Sequence, residues 1–251
     1  MSSKKRPIIE VCIDSLESAT EAVAGGAARL EICANLGVGG GTTPSLGLIM
    51  IRSRIGDFVF TKDEVAVMLE DINIYKQENV TGVVIGILKT DGTVDIERTR
   101  ILVQAAKPME VCFHRAIDMT RDPLEAIKDI DSIGGIDRVL TSGHGPSAPH
   151  NIDMLTAMAK LSLSLPSPIT ILPGSGINPT SVHIIVQCDW WKSFGEIHMS
   201  AGRWLDSPMK FRKEHMSMGA GENKDWQIWR AEENAVKQVQ NLVVEAFYVK
   251  L

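Results

Sequence analysis

Segments with the pattern of β-strands alternate with segments of helical periodicity about eight times along the chain. The predicted strands cover residues 8–13, 29–33, 48–52, 82–87, 109–114, 138–141, 169–172 and 196–200. The predicted helices cover residues 16–24, 62–76, 96–106, 123–133, 152–161 and 179–187. Strands separated by helices pair in parallel through right-handed crossovers, and eight such strands favour a closed barrel over an open sheet. The sequence therefore predicts an α/β fold, a (β/α)8 TIM-type barrel.

One connection departs from this repeat. Between Cys33 and Leu48 lie only about fourteen residues, which are rich in glycine and have no helical pattern. We therefore expect the helix between strands 2 and 3 to be missing. Its absence would leave the outward side chains of Leu30, Ile32 and Ile49 partly open to water.

The whole chain, residues 1–251, is expected to form a single domain, because barrels of this class reach this length. The barrel is predicted over about residues 8–219. Apolar residues recur at helical spacing over residues 225–250, which predicts a terminal amphipathic helix. That helix would lie across the barrel or against a partner subunit, and we expect a homo-oligomer.

Charge and hydropathy exclude several classes of protein. The net charge of −5 argues against a nucleic-acid partner, which would need a basic face. No apolar run approaches the ~18 residues that span a membrane. The basic N-terminal residues are not followed by a hydrophobic signal core. The four scattered cysteines are therefore expected to be reduced thiols in the cytoplasm, with the nucleus left open as a further location.

Two thiols and two carboxylates are predicted to converge inside the barrel. Glu10 and Cys12 share one face of the first strand, and Glu31 and Cys33 share one face of the second. Thiolates select soft ions such as Cu(I), with Cys112 or His114 on strand 5 as a third ligand. The alternatives are purely structural roles. The cysteines would then be small buried hydrophobic residues, and the carboxylates would belong to an ion-pair network whose counter-ion is Arg52 on strand 3.

Two further groups of residues follow barrel strands. His114 ends strand 5 and is followed by Arg115 and Asp118, so it is either an acid–base group or an orienting residue of a polar interior. The loop Gly174, Ser175, Gly176 and Ile177 after strand 7 is predicted to lead into a helix capped by Asn178, a position that favours anions in this fold. A plain glycine turn is the alternative. His198 on strand 8 is a further histidine of interest.

Short segments between residue 8 and about residue 219 together resemble a known family. They are EVCIDS at 10–15, LEIC at 30–33, GGTTPSLG at 40–47, FHRAIDM at 113–119, VLTSG at 139–143 and PGSGI at 173–177. In this order they resemble the CutC copper homeostasis family. The resemblance implies a TIM-type barrel, a role in cytosolic copper tolerance, and Cu(I) binding through Cys12 and Cys33. It implies no settled enzymatic activity.

The chain departs from the family pattern at three places. The family's second helix is deleted after Gly47, Ser53 replaces a proline, and Met199 stands where animal members tend to have cysteine.

Two hypotheses about function remain open. In the first, the chain is a copper homeostasis protein that holds Cu(I) as its cofactor and partner through Cys12 and Cys33. In the second, it is a TIM-barrel enzyme acting on a small phosphorylated or anionic substrate. The catalytic candidates would be Glu10, Glu31, Arg52 and His114, with the 174–177 loop binding the anion. No nucleic-acid or membrane partner is expected under either hypothesis.

Overall fold

The structure is a computed structural model that describes residues 6–34, 36, 48–216, 219–221 and 224–248. Eight short strands recur along it, and all of them except β2 are largely buried. They are β1 Ile8–Ile13, β2 Arg29–Ile32, β3 Leu48–Met50, β4 Gly82–Ile85, β5 Glu110–Phe113, β6 Arg138–Thr141, β7 Thr170–Pro173 and β8 Glu196–Met199. Buried strands with apolar residues on the outward face are typical of a sheet covered by helices.

The eight strands form one parallel sheet in the order β7-β6-β5-β4-β3-β2-β1-β8. The first strand pairs with both β2 and β8, so that Glu10 is the register partner of Arg29 on one side and of His198 on the other. The edge strands β7 and β8 lie side by side, which brings the sheet close to closure. The predicted (β/α)8 barrel is confirmed.

Helices cross between most strands, and several of them begin at a capping side chain. They are α1 Leu16–Ala24, α2 Lys62–Gln77, α3 Ile96–Ala106, α4 Pro123–Ile133, α5 Ile152–Leu163, α6 Val182–Val186, α7 Trp191–Phe194 and α8 Glu233–Tyr248. The hydroxyl of Thr61 accepts the backbone N–H of Glu64, whose carboxylate in turn accepts that of Thr61. This capping box stabilises the start of α2. None of the helices in the described ranges is long and apolar enough to cross a membrane.

Two predicted helices begin later than expected. The helix predicted over 179–187 is reduced to α6, because the Asn178 side chain accepts the N–H and hydroxyl of Thr180 in a local turn. The terminal helix predicted from residue 225 begins at Glu233, because residues 227–231 form strand β10. This strand pairs antiparallel with β9, residues 202–206, in a hairpin outside the barrel. Helix α8 then packs against α1 and α6. Of the two predicted positions of the terminal helix, this is the one across the barrel.

The connection between β2 and β3 includes residues 35 and 37–47, which lie outside the described residues. The prediction that this connection lacks a helix concerns those residues and stays a prediction. The neighbouring strands are described. Ile49 is fully buried, whereas Leu30 and Ile32 are only partly buried. The expected exposure is therefore confined to the outward face of β2.

Inward-pointing side chains divide the barrel interior into layers. The layer at the N-terminal ends of the strands is ionic. Above it lies a small cluster of sulfur-containing and aliphatic side chains: Cys12, Cys33, Leu48, Met50, Val84, Cys112, Leu140 and Leu172. The much larger apolar core lies between the barrel and its helices. Function-bearing side chains are therefore gathered within the barrel, toward the C-terminal ends of the strands, where barrel enzymes keep their active sites.

Candidate functional site

A cavity of about 760 Å³ occupies the C-terminal mouth of the barrel. Most of the residues predicted for a site line it: Cys12, Glu31, Cys33, Arg52, His114, Ser175, Gly176 and Ile177. The three exceptions are Glu10, which lies deeper in the barrel, Gly174, whose N–H donates to Thr141 O at 2.9 Å, and Cys112, which belongs to the inner cluster. The alternation of faces along β1 and β2 thus brings the expected thiols and carboxylates together.

Three of the side chains form a compact group of metal-ligand type. One ligand atom each of Cys12, Glu31 and His198 lies within 4.8 Å of the other two, and all three residues are buried. The glycine at 174 leaves room for Leu140 and His198, since a Cβ there would lie 2.5 Å from Cδ1 of Leu140 and 3.3 Å from Cβ of His198. A sulfur, an imidazole nitrogen and a carboxylate oxygen therefore face one point in the barrel.

The carboxylate of Glu10, which lies deeper in the barrel, fixes the orientation of the His198 ring. Its Nδ1 lies 2.7 Å from Oε1 of Glu10, which directs Nε2 toward Glu31, at 3.8 Å from Oε2. Burial alone would lower the pKa of this imidazole, but the charge of Glu31 and hydrogen bonds with Cys12 and Glu10 raise the pKa of His198 well above its usual value. The carboxylate of Glu10 responds in the opposite sense. Burial alone would raise its pKa, yet His198 and Arg29 together lower the pKa of Glu10 to about 2.

Cys33 lies beside Glu31 and donates its thiol hydrogen to Oε2 at 3.4 Å. Burial, the negative charge of Glu31 and the nearby Cys12 raise the pKa of the Cys33 thiol well above its usual value. Burial also outweighs the attraction of His198 and raises the pKa of Glu31. The two sulfurs predicted as ligands both belong to the inner cluster, and Cys33 is held as a neutral thiol next to a carboxyl group.

The ionic layer below this group was not predicted in detail. Arg29 binds Glu10 through Nε and Glu196 through a terminal nitrogen at 2.6 Å, so Glu10 takes Arg29 as its counter-ion in place of Arg52. Arg138 lies 3.4 Å from Glu196 and 3.0 Å from Glu110, whose side chain reaches solvent. A signal was present in the sequence, because Arg29 precedes Glu31 by two residues on a strand and therefore shares its face.

Arg52 and His114 lie on another wall of the cavity, and both contact the Phe58 ring. The guanidinium carbon of Arg52 lies 4.5 Å from the ring centroid, and the His114 ring centroid lies 4.9 Å from it. Burial, and then the charge of Arg52, lower the pKa of His114 to about 3. The imidazole of His114 is therefore neutral at physiological pH.

Asp118, which the sequence grouped with His114, serves a different contact. Its carboxylate accepts from Arg115 Nε at 2.8 Å and from Thr141 Oγ1 at 2.5 Å. It also accepts the backbone N–H groups of Ser142 and His144. Asp118 thus anchors the loop after β6.

The loop after β7 reaches the cavity in a different form from the one expected. Ser175 and Gly176 both have positive φ, at 73° and 74°. The hydroxyl of Ser175 donates to Pro146 O at 3.1 Å, which ties this loop to the one after β6. Helix α6, which follows, has five residues, so this loop does not lead directly into a long helix. Anion binding by residues 174–177 stays a prediction.

Comparison with other sequences gives consistent matches over most of the chain. A family model described as the CutC family matches residues 7–203. The copper homeostasis protein cutC homolog of Dictyostelium discoideum is 40% identical, over 84% of this chain and 87% of that protein. A CutC family protein of Vibrio vulnificus (strain YJ016) is 38% identical, over 88% of this chain and 91% of that protein.

Solved structures agree with the fold. The crystal structure of the copper homeostasis protein CutC from Streptococcus agalactiae matches with a TM-score of 0.67 and 26% identity, covering 77% of this chain and 98% of that chain. A Rubisco-like protein from Rhodopseudomonas palustris matches with a TM-score of 0.58 and 11% identity, over 99% of this chain and 66% of that chain. The latter likeness concerns the barrel fold alone.

Proposed function

This chain belongs to the CutC family, and on that premise we propose that it acts in copper homeostasis by binding Cu(I) inside the barrel through Cys12, Cys33 and His198. The observation that carries the proposal is the buried group of Cys12, Glu31 and His198, with ligand atoms within 4.8 Å of one another. Sulfur and imidazole ligands suit a soft monovalent ion. Cys33, a neighbour of Glu31, supplies the second sulfur.

The surroundings of His198 support its role as the third ligand. Metal-binding histidines usually bond a carboxylate through the nitrogen that does not meet the metal, which fixes the ring. Glu10 makes that contact with Nδ1 at 2.7 Å. Because the pKa of His198 is raised, Nε2 carries a proton that it must release when the metal binds. Glu31 is not proposed as a ligand, because a carboxylate is a poor ligand for Cu(I). Its Oε2 already accepts a hydrogen bond from the Cys33 thiol. On metal binding it is placed to receive that proton.

The test is a competition titration of the reduced full chain with a chromogenic Cu(I) chelator. We expect one equivalent of Cu(I) to bind tightly, and the double variant Cys12→Ser/Cys33→Ser to lose this binding. The matched control is Cys188→Ser, because this cysteine lies outside the inner cluster and its sulfur donates to Ile184 O at 3.4 Å. His198→Gln should weaken binding roughly tenfold or more. Unchanged affinity in a folded double variant would refute the proposal.

A second function is favoured by the size of the cavity. One metal ion fills a small part of about 760 Å³, whereas small-molecule sites commonly enclose about 300–1,000 Å³. We propose as the alternative an enzyme acting on a small phosphorylated or anionic substrate, with Glu31, Arg52 and His114 in its polar set and Glu10 behind them. None of the described residues that line the cavity is a lysine, so a Schiff base with a lysine is not the chemistry proposed.

This alternative is tested by an untargeted metabolite-binding screen together with thermal stabilisation by phosphate. A native-state ligand raises the unfolding temperature by mass action. We expect stabilisation of the unmutated chain by phosphate at tens of millimolar. Gly176→Val should reduce it if the loop after β7 takes part, since a Cβ there would lie 2.6 Å from the side chain of Ser147. Absence of stabilisation, with no metabolite retained in the screen, would dismiss the enzyme hypothesis and leave copper binding untouched.

A further inference from the structure

The first step concerns the hydrogen on the His114 ring. His114 directly follows β5 and caps the 3-10 helix Arg115–Met119, where its Nδ1 accepts the backbone N–H of Ala116 at 3.2 Å. A neutral imidazole that accepts at one nitrogen carries its hydrogen on the other. Because the pKa of His114 is lowered to about 3, the ring is neutral, and Nε2 is therefore an N–H donor.

That donor has no protein acceptor in the part of the chain that the structure describes. His114 is only 3% exposed, and its ring forms part of the cavity wall. Gly86 makes room for it, since a Cβ at that position would lie 2.5 Å from Cε1 and Nδ1. A buried donor without an acceptor costs free energy, so a site that retains one is suited to a ligand that supplies the acceptor.

A positive charge lies on the same wall. Arg52 and His114 both contact the Phe58 ring, which holds the guanidinium and the imidazole next to each other at the cavity. A terminal nitrogen of Arg52 donates to Gly56 O at 2.8 Å, which holds the guanidinium in place. The wall therefore combines one fixed cation, one neutral N–H donor and an apolar ring.

We propose that Arg52, Phe58 and His114 form the binding site for an oxyanion, a carboxylate or a phosphate, of a small organic molecule, with His114 Nε2–H donating to one of its oxygens. This rests on the second of the two proposed functions and names where its anion is recognised. Arg52 supplies the charge, and Phe58 excludes water from one side of both groups. The anion is thereby assigned to the wall after β3 and β5, in addition to the loop after β7.

The test uses inorganic phosphate and pyruvate as probes, titrated into the full chain at constant ionic strength with chloride as the reference anion. Binding is followed by calorimetry and by the Nε2–H signal of histidine-labelled protein. Comparison of the two probes distinguishes a phosphate from a carboxylate site. We expect at least one probe to bind at up to tens of millimolar and to shift the His114 signal.

Two substitutions at the same position separate ligand binding from folding. His114→Asn keeps an acceptor for the Ala116 N–H but removes the distal donor, so the affinity should fall by about tenfold or more while the protein stays folded. His114→Gln retains an N–H near the position of Nε2 and should bind within about threefold of the unmutated chain. Arg52→Met should lose binding, and the exposed His183→Asn should not change it.

The outcomes distinguish this inference from the function on which it rests. If a probe binds and both His114→Asn and Arg52→Met bind it equally well, the anion lies elsewhere in the cavity, and the inference is overturned while the enzyme hypothesis stands. If neither probe binds the unmutated chain, the inference is overturned, and the enzyme hypothesis falls with it only when the metabolite screen also retains nothing. Copper binding is measured separately and is unaffected by either result.

Discussion

His114 makes the free energy of unfolding depend on pH. Burial and the charge of Arg52 lower its pKa to about 3 in the folded chain, whereas an unperturbed histidine has a pKa near 6.5. Between about pH 6.5 and pH 3, His114 is therefore protonated in the unfolded chain and neutral in the folded chain. The contribution to stability is fully present above about pH 6.5 and is lost as the pH falls toward 3.

The magnitude follows from the size of the shift. Each pH unit between the two pKa values changes the free energy of unfolding by about 1.4 kcal/mol. Acidification from pH 7.5 to pH 5 should therefore remove about 2 kcal/mol through His114 alone. This is a large part of a typical ~5–15 kcal/mol.

The assay is urea denaturation of the unmutated chain and of His114→Asn at pH 7.5 and pH 5. The asparagine cannot take up a proton, so the variant should lose about 2 kcal/mol less on acidification. Glu31 and His198 also have shifted pKa values, but they are present in both proteins and cancel in the comparison. His183→Asn is the control at an exposed site. Equal losses in the unmutated chain and His114→Asn would refute the neutral, buried imidazole.

Three other changes and one measurement on the unmutated chain have defined outcomes. Arg29→Met leaves the buried Glu10 without its counter-ion and should destabilise the chain by about 3–5 kcal/mol in chemical denaturation, unlike the same change at the exposed Arg121. Gly174→Val crowds Leu140 and His198, so it should cost about 1–3 kcal/mol and weaken Cu(I) binding in the chelator titration. A family-like helix inserted after residue 47 should raise the denaturation midpoint by covering β2, and an unchanged midpoint would contradict this. Light scattering should give a mass above that of one chain, and a monomer would end the prediction of a homo-oligomer.

Local signals predicted the elements whose ends are fixed by nearby residues. Asp122 accepts the N–H groups of Leu124 and Glu125, so the Asp-Pro pair starts α4 where the sequence places it. Strand β10 was missed because its apolar positions also fit helical spacing. This segment forms a strand because it pairs with β9, which lies earlier in the chain. In that hairpin Trp229 packs on Trp204, with 5.3 Å between the ring centroids. Tertiary pairing, which no local window contains, decided that segment.

The same distinction explains the site. Alternation along β1 and β2 was enough to bring Cys12 and Glu31 to one interior, since it requires only the two strands to be neighbours. The role of His198 required knowledge that the last strand pairs with the first, in a register that sets His198 opposite Glu10. The alternation of faces along β2 was enough to place Arg29 in the barrel interior. Its ion-pair partners, however, depend on the pairing of the last strand with the first. Ion pairs across a barrel are therefore visible from sequence only after the register is known.

Opposite charges alternate from the solvent at one end of the barrel to the cavity at the other. Contacts link, in order, Glu110, Arg138, Glu196, Arg29, Glu10 and His198. Because each buried charge has an opposite neighbour, the desolvation that would otherwise prohibit such a series is offset at every step. Rigidity follows from the same contacts, since a carboxylate held by an arginine from behind has one orientation toward the imidazole. The series therefore ends at the His198 ring, which Glu10 holds with Nε2 directed toward Glu31, in the way that a carboxylate orients a metal-binding histidine.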